Sequence, residues 1–280
     1  MEPIPTALSD AQTDAWTDAA VTTIARYYDL DFGEITEDVT LYAELADAYA
    51  GRGPDGLLEL GAGTGRVAAA LAPALAASAV AVTAVEVNAA MRAVGAARAA
   101  AAGVTVLPGD MRTLALEQRF GLVICALSTF CHLASARDQR AALAVMRAHL
   151  APGGVAVIDL PAFHADDWVP GPRAPLLEWV RPHPQSGRLV TKWATLEAHP
   201  ALQRQDVTYL YDEARADGGI SRSVAQFSLR HVFRYELAAL LAAAGFPDLR
   251  WYGSYDLDPV EAGERLIVVA AGARTGGEDG

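Results

Sequence analysis

Hydrophobic positions fall into two rhythms along this chain. From Ser9 to Tyr28, Trp16, Ala20, Ile24 and Tyr27 or Tyr28 recur at helical spacing. A polar break from Asp29 to Glu34 follows. A second helical pattern, Leu41, Leu45 and Tyr49, spans Glu37–Ala50 and is stopped by Gly51, Gly53 and Pro54. Short apolar runs then predict strands at Leu57–Leu60, Val80–Val87, Val104–Leu107, Leu122–Leu127 and Val155–Leu160. Helical patterns separate most of them: Val67–Ala77, a helix from an Asn88 N-cap to Ala102, and one from a Ser135/Asp138 capping pair to Leu150. Strands that are apolar from end to end are buried on both faces, so this alternation predicts a parallel sheet covered by helices.

The rhythm changes after residue 160. Residues 161–173, rich in Pro, His, Asp and Trp, read as a loop. Leu176–Arg181, Leu189–Leu196, Val207–Glu213 and Ser221–Leu229 read as strands joined through Gly187 and Asp217-Gly218-Gly219, predicting an antiparallel set. Arg234–Ala244 is a helix closed by Gly245, and Leu249–Tyr255 and Arg265–Ala271 are final strands. Residues 1–8 and 272–280 are expected to be frayed. With 280 residues, one large α/β domain with an elaborated segment is the natural organisation.

Composition narrows the function classes. Hydrophobic residues make up 52%, enough for a core and too many for a disordered chain. A net charge of −12 repels polyphosphate backbones, so nucleic acid is not an expected partner. No apolar run approaches the roughly eighteen residues of a spanning helix, so no membrane association is expected. The start, Met1-Glu2-Pro3, has neither a basic cap nor an apolar leader, so a cytoplasmic location is expected. Cys125 and Cys131 form no CxxC pair and read as small buried hydrophobes.

Candidate chemistry begins at Leu57-Leu58-Glu59-Leu60-Gly61-Ala62-Gly63-Thr64-Gly65-Arg66, a strand running through a glycine loop into a helix. Such glycines allow a sharp turn and let a ligand approach the main chain, although strand–helix turns of this kind also occur without a ligand. Glu86 ends the second strand abruptly, where a carboxylate accepts both hydroxyls of a ribose or simply faces solvent. Nicotinamide dinucleotide and S-adenosylmethionine both fit this much. A dinucleotide turn wants a small residue at position 66, and Arg66 is too large. Glu59 would repel a pyrophosphate and suits an ammonium, reached directly or through water. Asp110, after the third strand, is placed to accept the exocyclic amine of adenine, with Met111 packing on its ring. Three acids at three successive strand ends favour S-adenosylmethionine.

Four segments, Glu59–Gly65, Val85–Asn88 with Met91, Gly109–Arg112 and Leu150–Gly154, make the sequence resemble the class I S-adenosylmethionine-dependent methyltransferases, in particular small-molecule enzymes of bacterial natural-product biosynthesis. The resemblance covers residues 25–160 closely and the last helix and strands loosely. It implies a Rossmann-like, seven-stranded, mostly parallel sheet whose last strand, Arg265–Ala271, is antiparallel and inserted between its neighbours. Residues 1–50 are then a helical lid, 51–160 the cofactor-binding core, 161–232 an antiparallel substrate cap or dimerisation insert, and 233–271 the C-terminal helix and strands. The cofactor is S-adenosylmethionine and the product S-adenosylhomocysteine. Its expected contacts are Tyr28, Glu59, Gly61, Ala62, Gly63, Gly65, Arg66, Glu86, Val87, Met91, Asp110, Met111, Arg112 and the backbone of Leu127.

Methyl transfer from a sulfonium is an in-line displacement, so the protein must align the partners, exclude water and accept a proton. His132, after strand four, is the first candidate base; similar sugar N-methyltransferases carry a histidine at the matching place, while a structural histidine at a helix start is the alternative. His164, after strand five, is the second. Tyr27 and Tyr28 precede the sheet; one is expected to pack in the core and the other, Tyr28, to lie over the cofactor. Asp159, Asp166 and Asp167 have no acid partner after strand four, so no metal is expected. Aromatic residues of segment 174–230 (Trp179, Trp193, Tyr209, Tyr211, Phe227) either receive an apolar or aromatic small-molecule substrate or pack the added sheet. A homodimer is also expected. A non-catalytic module that binds S-adenosylmethionine or its product, and a nicotinamide oxidoreductase, are the rival readings.

Overall fold

The computed structural model describes residues 18–272. Expectations for residues 1–17, including the helical start at Ser9 and the packing of Trp16, and for the tail 273–280 lie outside that range. The first helix, α1, is Asp18–Phe32, and α2 is Glu37–Tyr49. The polar break expected from Asp29 is therefore helical for one more turn. Asp29 and Asp31 lie on that turn: Asp29, partly exposed, pairs with Arg98, and the buried carboxylate of Asp31 pairs with Lys192.

The main sheet contains β1 (Leu57–Leu60), β2 (Val82–Glu86), β3 (Thr105–Pro108), β4 (Phe120–Cys125), β5 (Leu150–Pro161) and two late strands that the second sheet precedes. α3 (Arg66–Ala76) and α4 (Ala89–Ala101) connect the first three strands, and α5 (Ala136–His149) leads into β5. The second sheet is antiparallel: β6 (Gly171–Pro172), β7 (Leu176–Pro182), β8 (Leu189–His199), β9 (Arg204–Ala214) and β10 (Ile220–Arg230). After α6 (Arg234–Ala243), β11 (Asp248–Tyr252) and β12 (Arg265–Ala271) return to the main sheet. Its order is β11-β12-β5-β4-β1-β2-β3, with β12 antiparallel to both neighbours and the remaining pairs parallel. This is the expected seven-stranded arrangement.

Alternation along β1 divides the core. Leu58 and Leu60 face α5 and α6 with Leu143, Met146, Leu237 and Leu241. Leu57 faces α2 and α3 with Leu41, Leu45, Val67 and Leu71. The loops leaving the carboxyl ends of β1 and β4 diverge to opposite sides, creating the crevice at which sheets of this kind bind ligands. α1 lies between α4 and the second sheet, burying Val21, Ile24, Met91, Val207 and Phe227 together.

Candidate functional site

The glycine loop is shaped by three left-handed residues, Gly61 (φ 69°), Gly63 (φ 58°) and Gly65 (φ 70°). At Gly61 a side chain would also run into Thr129, and its Cβ would stand 2.9 Å from the Met111 methyl, so loops after β1, β3 and β4 meet there. The amides of Gly61 and Ala62 bond the Val85 carbonyl at 2.8 and 3.0 Å, and the Gly63 amide donates to Glu86 Oε2 at 2.9 Å. The other oxygen of Glu86 takes the Asn88 amide at 2.7 Å, while Asn88 caps α4 by accepting from Ala90 and Met91. Glu86 is thus locked in orientation by two amides; burial raises its pKa against those bonds.

Tyr28 packs over the loop, its ring carbon Cζ 3.7 Å from where a Gly63 side chain would begin. Burial, with Glu59 and Glu86 nearby, raises its hydroxyl pKa and keeps it a neutral donor. Tyr27 turns the other way, stacks on Tyr211 (4.4 Å between centroids) and donates to Glu213. The two adjacent tyrosines thus separate, Tyr27 into packing against the second sheet and Tyr28 against the glycine loop.

Other site residues come out differently from the sequence expectation. Arg66 does not face the loop's ligand side: its guanidinium makes a buried ion pair with Asp38 of α2 and bonds the Ile35 carbonyl at 2.9 Å. The loop's close packing is against α4, where Gly95 lies so near the Thr64 carbonyl that no side chain fits. Glu59 lies beneath the loop, 2% exposed, with Oε2 accepting the Ala68 amide of α3 at 2.9 Å; burial pushes its pKa up to about 8. Its first partner is therefore a helix N-terminus, not an open ammonium pocket. Asp110 is gripped by the amide and guanidinium of its neighbour Arg112, at 2.6–3.0 Å, which lowers its pKa. Arg112 is consequently a partner of Asp110, with Asp138 3.5 Å away, before it is a ligand contact. Val87 is exposed at the end of β2, and Met91 is buried against α1.

Of the two candidate histidines, His132 is the enclosed one. It ends a 3-10 turn (Thr129–His132) after β4, its ring centroid 6.1 Å from that of Phe227 on β10. Burial pulls its pKa down to about 4, which leaves the imidazole neutral at pH 7. His164 is exposed at the head of the 165–168 turn. Leu127, expected to offer its backbone, adopts φ 46°, and Ser128 φ 63°, both left-handed without being glycine.

Sequence reasoning missed what holds that turn. Asp159, weighed only as a metal ligand, is fully buried among Tyr42, Tyr255, Arg265 and the Leu127 amide. The available signal was an acid near the end of an otherwise apolar run, Val155–Leu160, much as Glu86 ends β2. Among the described residues no group of three or more His, Cys, Asp or Glu is arranged to hold a metal, and no helix is long and apolar enough to cross a membrane.

Residues 57–154 match the family model of a methyltransferase domain. Two curated relatives support the match. The dTDP-3-amino-3,6-dideoxy-alpha-D-glucopyranose N,N-dimethyltransferase of Streptomyces fradiae is 40% identical over 63 residues, 22% of this chain and 24% of the relative. The dTDP-3-amino-3,4,6-trideoxy-alpha-D-glucopyranose N,N-dimethyltransferase of Streptomyces venezuelae is 37% identical over 68 residues, 23% of this chain and 29% of that one. The aligned parts thus span about a quarter of each curated relative. Solved structures extend the likeness in fold. The CcbJ methyltransferase of Streptomyces caelestis superposes with a TM-score of 0.74 at 23% identity, over 92% of this chain and 100% of its own. An amino pentose methyltransferase of Micromonospora echinaspora, solved with S-adenosylmethionine bound and involved in calicheamicin biosynthesis, gives a TM-score of 0.65 at 27% identity, over 89% and 96%. The likeness in fold extends beyond residue 154, over most of the described residues.

Proposed function

We propose that this protein transfers a methyl group from S-adenosylmethionine to a nucleophile, foremost an amine, of a small natural-product intermediate. The observation that carries this reading is the convergence of Tyr28, the Gly61–Gly65 loop and an amide-locked Glu86 at the carboxyl ends of β1 and β2, inside the stretch that matches a methyltransferase domain. The site fits the donor chemically. Glu86 keeps acceptor lone pairs for ribose hydroxyls, Asp110 and Met111 stand at the end of β3 for an adenine, and Tyr28 offers a neutral ring and hydroxyl above the loop. The amine acceptor is favoured by the curated relatives, both N,N-dimethyltransferases of amino sugars.

The bound donor supplies an already activated methyl group. The chain's own residues therefore have mainly positional work. Tyr28 and Thr129 close over the loop and keep water from it. His132, held neutral by burial, is a weak base; its unprotonated ring suits accepting a hydrogen bond from an acceptor that enters as a free amine and so orienting it, while the proton that the methylated nitrogen sheds leaves to solvent. The second sheet, which brings Phe227 against His132, acts as the cap over the acceptor; its aromatic lining suits an apolar or aromatic portion of that molecule. Two copies pairing through this insert would give the expected homodimer.

Thermal-shift and calorimetric titration with S-adenosylhomocysteine and, separately, NAD test the cofactor. Stabilisation by S-adenosylhomocysteine is expected; stabilisation by NAD alone overturns the assignment. Incubation with methyl-labelled donor and a panel of amino sugars, free and nucleotide-linked, then tests transfer. Tight donor binding with no transfer to amine, hydroxyl or carbon acceptors would mark a binding module instead of an enzyme.

A further inference from the structure

Asp159 sits where β5 meets the candidate acceptor side, with no exposed surface. Its Oδ2 accepts the Tyr42 hydroxyl from α2 and the Tyr255 hydroxyl, both at 3.0 Å, and the Leu127 amide at 3.2 Å. Its Oδ1 takes Nε of Arg265 at 2.8 Å together with that residue's Nη2. Its main-chain carbonyl accepts the Ser128 amide at 2.9 Å. Leu127 and Ser128 are the two left-handed residues at the exit of β4. That conformation is unfavourable for any residue with a side chain, so it persists only where the surroundings impose it. The amides of both residues bond to this one aspartate.

The turn that follows carries much of the site. Ser128 precedes it, and the Cys131 amide bonds the Ser128 carbonyl at 2.9 Å. Thr129 then meets Gly61, and His132 faces Phe227. Burial, with the Asp159 charge beside it, raises the Tyr42 hydroxyl's pKa, so it stays a donor. We propose that Asp159 is a positioning residue: it imposes the strained exit of β4 that places the Leu127 backbone and His132, and through Tyr42 it ties the position of α2 to that turn. Its functional half rests on the methyl-transfer reading; its structural half does not.

The test separates the two, using the only two cysteines in the chain. Cys125 lies in β4 and Cys131 in the turn, both buried; burial raises the Cys125 thiol and pushes that of Cys131 up to about 12. Native wild-type protein should therefore label slowly at both sites with 5,5′-dithiobis(2-nitrobenzoic acid), located by peptide mass mapping. Asp159→Asn keeps the shape but turns one of the two accepting oxygens into an amide donor, facing either the two hydroxyls or the guanidinium. We expect Cys131 to label at least about tenfold faster in this variant, with Cys125 unchanged, and S-adenosylhomocysteine affinity to fall about tenfold. Adding Ser128→Gly, which relaxes the left-handed position, should return Cys131 to within about threefold of wild type. A merely structural aspartate predicts no such rescue. A folded Asp159→Asn with wild-type Cys131 protection, or loosening that Ser128→Gly leaves untouched, overturns the proposal. If Asp159→Asn does not fold, Tyr42→Phe/Tyr255→Phe leaves the Arg265 pair in place; Cys131 labelling about fivefold faster supports the proposal and unchanged labelling overturns it. Wild-type protein that fails to bind S-adenosylhomocysteine defeats the methyl-transfer reading, while the labelling still decides the role of Asp159.

Discussion

Glu86 and Asp110 occupy equivalent places at neighbouring strand ends, yet their surroundings set them different tasks. Glu86 is held by main-chain amides from the loop and from the start of α4, so its remaining lone pairs are aimed before any ligand arrives. Asp110 is held by a flexible, half-exposed arginine that a ligand can displace. A hydrogen bond to a charged group contributes about 1.5–3 kcal/mol. Glu86→Ala should therefore weaken S-adenosylhomocysteine binding at least about tenfold in calorimetry, and Asp110→Ala less, about three- to tenfold. Equal wild-type affinity in both variants would remove these acids from the site. Both were readable in the sequence because each ends or follows an apolar strand beside the glycine loop. The fates of Arg66 and Glu59 were not. An arginine at position 66 is legible as unfit for a dinucleotide, but its pairing with Asp38 depends on where α2 packs. Glu59 reads as a carboxylate facing the ligand, whereas the first turn of α3 supplies an amide that captures it from below. Long-range partners leave no local signature.

Among the elements, the parallel strands were legible because each is a short apolar run bounded by turns or caps; Asn88 and Ser135 do cap α4 and α5. The end of α1 was missed because Asp29 and Asp31 look like a solvated break, whereas distant partners hold both: Arg98 pairs with Asp29, and Lys192, Trp179 and Tyr211 offset the burial of Asp31. The contact of α4 with the loop was hidden for a related reason: Gly95 reads as an ordinary glycine in an alanine-rich helix. Its sign under mutation is diagnostic. In an exposed helix, Gly→Ala stabilises by roughly 1 kcal/mol through propensity. Here the added methyl meets the Thr64 carbonyl, so α4 must move off the loop or the loop must deform. Overpacking of this kind costs about 1–3 kcal/mol. Gly95→Ala should lower the melting temperature by several degrees and weaken S-adenosylhomocysteine binding, since Thr64 lies in the glycine loop. A stabilised variant with unchanged affinity would show that the helix and loop are not in contact.

The whole molecule combines buried groups whose titrations oppose one another, which predicts its stability against pH. His132 and His231 are both held down to about 4 by burial, against an ordinary value of 6.5. Between pH 6.5 and 4 the unfolded chain takes up protons that the folded chain refuses, so stability falls as the solution is acidified through that window. Glu59 works the other way: its pKa stands at about 8 when folded, against 4.5, so between those values the folded chain holds a proton that the unfolded chain has lost. Stability then falls as pH rises towards 8, and the raised pKa of Glu86 adds to that fall. Below pH 6.5 the two histidines oppose the glutamates; above it the glutamates act without them. Ligand-free protein should therefore lose stability above pH 6.5 and change less below it, where the opposing titrations cancel in part. Denaturant titrations from pH 4.5 to 8.5 measure the slopes. Glu59→Gln should flatten the alkaline limb and make the variant more heat-stable than wild type at pH 8.5, by about 3 °C or more, given about 2–4 °C per kcal/mol in a chain of this size. His132→Asn/His231→Asn should remove the histidines' share of the acid limb, whatever constant cost the substitutions impose. A wild-type profile that rises steadily to pH 8.5 would show Glu59 to be ionised in the folded protein, facing a cation in place of the amide of Ala68.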